Sequence, residues 1–350
     1  MSNTTKADLL MVLVTLLAAV GWMFSKEAVS QMPPLMFMGI RFLLAGMLLA
    51  FLGSRLLRQM TRAQYLRSIR VGLAFSVAMC FWVLGLHRAE HVGEGAFLTS
   101  LSVVVVPLLA RMLFQEAQPA TTWLALPVAI AGLALLSLQH GFRPDPGQWF
   151  FVLSATTFAF YYTLNTRAAT QRQMQALDGQ VLDGQVPDGR TLDGQAPDGQ
   201  EPNGQKAHEQ QSERSQHEDP LREHPPIPVL ALTSIALLTV GTVTSTLSLI
   251  MEPWQATLET FTPGLAGWVL ASALVATALR FFVQTWAQSL SNHSHGVVIL
   301  ILEPVWVALF AALWFGETMS LQQVAGCSLI FVALLVNRWG AVRKLLKAWL

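Results

Sequence analysis

Apolar residues along this chain come in blocks of about twenty, separated by short polar stretches, and few charged positions interrupt any block. Crossing the hydrocarbon of a bilayer takes about 20 mostly apolar residues in a helix, because only a helix satisfies its own backbone groups there. Ten blocks reach that length, at 8–27, 34–54, 68–86, 95–114, 120–138, 148–167, 228–250, 264–288, 296–315 and 321–339. The pattern predicts an all-α polytopic membrane protein with ten transmembrane helices. Trp22, Trp149, Tyr161, Tyr162, Trp268, Trp314 and Trp339 fall near block ends, where amphipathic rings anchor at the interface. The first block follows Lys6 and is followed by no convincing small-x-small cleavage site, so it reads as an uncleaved span.

Composition supports the same class. Of 350 residues, 53% are hydrophobic and 12% charged, about half the charge of an ordinary soluble domain. The net charge of +1 conceals a division. Residues 176–226 hold eleven acidic and four basic side chains, leaving ten acidic and eighteen basic in the rest. Within that insert six pentads follow one another from Ala176 to Gln205, of the form ALDGQ or APDGQ. Gly, Pro, Asp and Gln at that density predict a disordered, low-complexity cytoplasmic loop over 168–227, between helices six and seven. Its Asp-Gly pairs lack the spacing of a calcium loop. Cys80 and Cys327 each sit in an apolar run and read as small buried hydrophobes.

Lys and Arg set the orientation, since they accumulate in cytoplasmic loops. With both termini inside, thirteen basic residues lie on the inner side, and only Lys26, Arg88 and Arg143 on the outer. This predicts a multi-pass protein of the plasma (inner) membrane with cytoplasmic N- and C-termini.

The apolar portion contains a duplication. Gly95–Glu116 and Gly296–Glu317 match in their first and last residues at an offset of 201, with five spans between the copies. An odd number reverses the direction of entry, which is the inverted-repeat arrangement of secondary transporters. Several further positions complete a pattern: Gly21-Trp22 and Lys26, Pro34 followed by Arg41-Phe42, Gln284 to Gln288 as Gln-Thr-Trp-Ala-Gln, Leu302-Glu303-Pro304, and Gly316-Glu317. In their order and spacing the chain resembles the drug/metabolite transporter superfamily, in its EamA-like permease branch, over nearly all its length except the insert. The resemblance implies two inverted five-helix repeats, 8–139 and 147–167 plus 228–339, and an exporter or permease of small, often amino-acid-like or amphiphilic, metabolites.

Ionisable groups within spans are costly and point to a solute or ion path. Thr277, Arg280, Gln284, Gln288, Ser291 and His295 recur at spacings of three and four, which predicts one polar stripe on span eight. Arg41, about 10 Å below the surface by helical rise, offers a planar fork to an anionic or carbonyl group, or else ties neighbouring carbonyls. Trp22, Trp286 and Trp306 are candidate aromatic walls. Glu303 is the candidate ion-coupling residue: helical rise brings spans eight and nine to a depth where it can meet Arg280, and Pro304 beside it predicts a break in the backbone bonding of span nine. His87-Arg-Ala-Glu90-His91 matches the H-x-x-E-H zinc-peptidase signature, but it falls where the helix should be breaking and reads as a solvated or pH-sensitive outer loop. No Walker A loop, dinucleotide fingerprint or nucleophile elbow occurs, so no catalytic residue, cofactor or metal is assigned. The expected partners are a small-molecule substrate and the lipid bilayer, not nucleic acid, with a homodimer as an option. The expected function is secondary transport; the alternative is a membrane sensor or scaffold that presents the acidic loop.

Overall fold

The structure is a computed structural model that describes residues 3–115, 120–137, 146–169, 227–259, 262–290, 299–337, 339–340 and 342–343. The insert at 176–226, Glu116, Ser291, His295 and Gly296 lie outside the described residues, as do the side chains of Trp286 and Gln288. All regular elements among the described residues are helical. The first are α1 Asn3–Val29, α2 Pro34–Leu52, the short α3 Ser54–Arg58, α4 Arg62–Arg88, α5 Val92–Ser100, α6 Ser102–Phe114, α7 Ala120–Ser137 and α8 Pro146–Ala169. Beyond the insert come α9 Val229–Met251, α10 Trp254–Glu259, α11 Pro263–Ala273, α12 Arg280–Leu290, α13 Glu303–Phe315 and α14 Leu321–Asn337. Six helical stretches are long and apolar enough to cross a membrane: Leu9–Val29, Pro34–Leu52, Arg62–Arg88, Val92–Leu113, Val229–Met251 and Pro263–Gln284. Ala120–Leu135, Leu300–Phe315 and Leu321–Asn337 are shorter apolar helices.

Local chemistry explains where these helices start and stop. Proline opens α2, α8 and α11, where its missing N–H would have had no helical partner. Thr61 caps α4 reciprocally with Gln64, satisfying two otherwise orphaned donors. Gly316, in the left-handed region at φ 67°, ends α13. Two N-termini are capped from another helix. Glu252, just past α9, accepts from the backbone N–H of Leu35 and Met36 at 2.9 and 2.8 Å. Glu317, just past α13, accepts from Val92 and Gly93 at 2.8 and 3.3 Å. Each carboxylate sits where a helix presents free N–H groups and positive potential.

Packing pairs α2 with α9, α7 with α14, α5 with α13, and α1 with α11, α12 and α13. Small residues let the backbones approach, as expected where hydrophobic burial between helices supplies no drive. Gly39 and Gly46 of α2 lie against Ser245 and Leu238, and Gly241 of α9 lies against Leu43. The outward faces are apolar: Phe51, Met112, Ile250 and Leu313 are each more than three-quarters exposed. Several Ser and Thr within the helices, among them Ser76, Thr163, Ser234 and Thr244, donate to the carbonyl four residues earlier, which meets their polarity within the helix.

Three expected spans are not continuous α-helices. The fourth breaks at Leu101, between α5 and α6. The eighth contains a π-helical turn, Leu274–Leu279, between α11 and α12. The ninth enters through a 3₁₀ turn, Leu300–Leu302. Pro304 therefore lies in the first turn of α13, where it removes no helical bond; the expected break inside a running helix is replaced by a helix start.

Candidate functional site

Two of these irregular junctions put charge in the interior. Arg280 is the first residue after the π turn and Glu303 the first after the 3₁₀ turn. Arg280 Nη2 donates to Glu303 Oε2 at 3.3 Å, and Trp22 Nε1 donates to Glu303 Oε1 at 3.3 Å. Met11, Ala287 and Ile299, all buried, pack α1 and α12 against the approach to α13. Trp22 is 6% exposed and meets Trp82 edge-on at 4.7 Å. It is therefore an interior wall rather than an interfacial anchor.

The ion pair is not sealed. The side chains of Arg280 and Glu303 keep 26% and 23% of their surface, and their charges reach Tyr162 on α8. Three buried polar atoms on the same helices have no hydrogen-bond partner among the described residues: Arg280 Nε, Gln284 Oε1 and Trp306 Nε1. Unmet donors and acceptors beside an accessible ion pair are what a polar solute can use, since an orphaned buried group costs about 1–3 kcal/mol.

Arg41 belongs to a neighbouring network. Its Nε donates to Thr277 Oγ1 at 2.7 Å and its Nη1 to Ser25 Oγ at 2.6 Å. Thr277 in turn donates to the Ser272 carbonyl, five residues back, the spacing of the π turn. The same turn shifts the register of span eight. Thr277 faces Arg41 while Arg280 faces Glu303, so the single stripe expected from α-helical spacing is divided between two partners.

Residues outside the candidate site read from the sequence complete the interior polarity. Tyr161, expected at an interface, is buried and stacks on Phe75 at 4.3 Å. Glu94 of α5 is 5% exposed and accepts from Gln148 Nε2 of α8 and from Gln323 Nε2 of α14. All three of these residues sit within three positions of a helix start. Span estimates beginning at 95, 148 and 321 left them at the margin. The one available signal was a carboxylate three residues after the H-x-x-E-H segment. That segment itself spans the end of α4, and His87 Nδ1 lies 3.0 Å from the Val29 carbonyl. Among the described residues no group of three His, Cys, Asp or Glu side chains is placed to hold a metal ion.

A long-helix bundle with an apolar exterior and charged interior junctions defines a multi-pass membrane protein. The EamA-like transporter family matches residues 5–138 and again 223–339, so the chain belongs to that family and carries its unit twice. Its members are membrane transporters of the drug/metabolite type, not enzymes. No curated protein matches the sequence significantly. Fifteen solved chains match its structure. One, titled only "Crystal structure of protein", is 17% identical, with 95% of this chain and 98% of that one covered at a TM-score of 0.53; that likeness concerns the fold alone.

Proposed function

We propose that the protein is a secondary transporter that exports small organic metabolites from the cytoplasm by alternating access. Ten transmembrane helices would form two inverted five-helix repeats, with both termini cytoplasmic and the membrane the plasma membrane. The pairing of α2 with α9, α5 with α13 and α7 with α14 supports this, because each pair joins a helix of the first matched unit to a helix of the second.

The observation that carries the reading is the partly exposed Arg280–Glu303 pair at 3.3 Å, beside the free Arg280 Nε and Gln284 Oε1. A positive and a negative group side by side, walled by Trp22, suit a compact zwitterion with an apolar part, such as an amino-acid-like metabolite. In this mechanism Arg280 takes the carboxylate and Glu303 the ammonium. Glu303 exchanges substrate for a proton, so that the two bind in competition and move in opposite directions. Trp306 and Gln284 supply secondary polar contacts, with Gln288 and Trp286 further along the same helix.

The test is flux of a panel of amino acids and small amphiphiles in vesicles carrying the purified protein, with and without a pH gradient. Wild type should move at least one zwitterion, faster with the gradient. Glu303→Gln should insert normally and lose the gradient dependence. Unaltered gradient dependence in that variant would remove Glu303 from the mechanism. Absence of flux for the whole panel would favour the scaffold alternative.

A further inference from the structure

The pathway through Arg280 and Glu303 leaves a second, deeper carboxylate without a role. Glu94 lies in the first turn of α5, and α8 and α14 each bring it an amide, Gln148 closely and Gln323 at 3.4 Å. Beside it a small cavity, with room for about one water, is lined by Glu90, His91, Gln148 and Phe151. Exposure falls steadily along this segment: Glu90 is exposed, His91 half-buried and Glu94 buried.

Two buried atoms around the cavity lack hydrogen-bond partners among the described residues, His91 Nδ1 and Gln148 Oε1. The second belongs to a side chain only 7% exposed, where an unmet carbonyl is expensive. Its presence has a chemical explanation. An ionised carboxylate can only accept, whereas a protonated one has a single O–H to donate. A glutamine amide presents N–H₂ to the first and, turned by half a revolution, C=O to the second. Gln148 thus matches both protonation states of Glu94, and its orphan oxygen can accept from Glu94 when Glu94 carries a proton. An imidazole between the cavity and the mouth can accept at one nitrogen and donate from the other.

We propose that Glu94, Gln148 and His91 form a proton-binding site, loaded from the medium at the α4–α5 end of the bundle through Glu90 and His91. Its ligand is a single proton: hydronium at the mouth gives one proton to Glu94 and leaves water. This rests on the transporter reading for two points only, that this end faces outward and that the proton is coupled to a solute.

Among the described residues, the elements packed near Glu94 bring the following charged and titratable groups. Glu317, from beyond α13, holds the N-terminus of α5. Cys327 of α14 lies close enough to feel the charge of Glu94. Arg88 at the end of α4 sits over the Phe150 ring of α8 at 4.9 Å. Lys26 of α1 donates to the Leu86 and Ala89 carbonyls at 3.0 and 2.7 Å. The basic residue of α6, Arg111, is in its last turn, at the far end of that helix.

Infrared titration of the full chain in lipid vesicles reads the site directly, through the C=O stretch of a protonated carboxyl group. Wild type should show such a band that grows as the pH falls. Glu94→Gln should lose the component of the band that a single buried carboxyl contributes, and Gln148→Leu should keep that component with a displaced midpoint, which serves as the measure if Glu94→Gln folds poorly. A band unchanged in Glu94→Gln, or a midpoint indifferent to Gln148→Leu, would overturn the proton site and leave the transporter reading untouched. A Glu94-dependent band in a protein that moves no solute of the panel would do the reverse, upholding the site and sinking the transporter reading.

Discussion

The seam between α2 and α9 and the cleft among α1, α12 and α13 are built from opposite materials. Along the seam the helices run without interruption, and Gly39, Gly46 and Gly241 bring backbones so close that an added methyl at Gly241 would lie 2.7 Å from the Leu43 nitrogen. In the cleft the backbone changes type twice, at the π turn and the 3₁₀ turn, and each change delivers a charged side chain. Irregular backbone within a membrane is tolerated where protein or a polar cavity can satisfy it. The difference separates two tasks. The seam holds the bundle together through close contact, whereas the cleft gives up regular packing and gains groups able to exchange partners.

Breaking the seam should have the largest effect. Gly241→Leu forces a branched side chain against the α2 backbone, and overpacking of this kind costs about 3 kcal/mol or more when the neighbour is main chain. The expected outcome is loss of the monodisperse peak on size-exclusion chromatography in detergent. Gly267→Leu is the control, since nothing lies within 4 Å of the position a Cβ would take there; it should elute and melt as wild type does. Equal melting temperatures for the two variants would dismiss close approach as the basis of the seam.

The seam was legible in the sequence and the cleft only in part, for one physical reason. A continuous helix follows the 3.6-residue period, so apolar block length located α2 and α9 within two residues at each end. A π turn adds residues to a turn without changing composition. Nothing in the order of Leu274 to Leu279 therefore announces that Thr277 and Arg280 serve different partners. The meeting of Arg280 with Glu303 was still within reach, because helical rise gives depth even where it gives direction badly. Glu94 was missed through a boundary: α5 begins at Val92, three residues before the estimated start, and that difference moves a carboxylate from the interface into the interior.

Arg41 offers a measure of intermediate size, because it joins the two regions. It is rooted on α2, the seam helix, and its guanidinium reaches Ser25 of α1 and Thr277 of the π turn. Arg41→Met keeps much of the apolar stem but leaves both hydroxyls without their donor. A charged-group hydrogen bond contributes about 1.5–3 kcal/mol, so the variant should fold and melt several degrees lower. Arg41→Lys restores the charge but not the fork, and should recover only part of the loss. If Arg41→Met melts like wild type while its flux of a zwitterion falls, Arg41 contacts substrate rather than bracing the π turn.

The smallest effect should come from the insert, which belongs to neither region. Its pentads fall between the two stretches that match the EamA-like family, residues 5–138 and 223–339. Replacing residues 176–224 by a short Gly/Ser linker keeps every helix from α1 to α14. The closure entropy of flexible connections grows only with the logarithm of their length, so the exchange changes stability by about 1 kcal/mol. The replacement should insert, melt within a few degrees of wild type and retain flux, as judged by the same chromatographic and vesicle measurements. A folded variant that no longer moves any solute would instead make the acidic tract part of the transport cycle. Function would then depend on a third region, and the division of labour between seam and cleft would be incomplete.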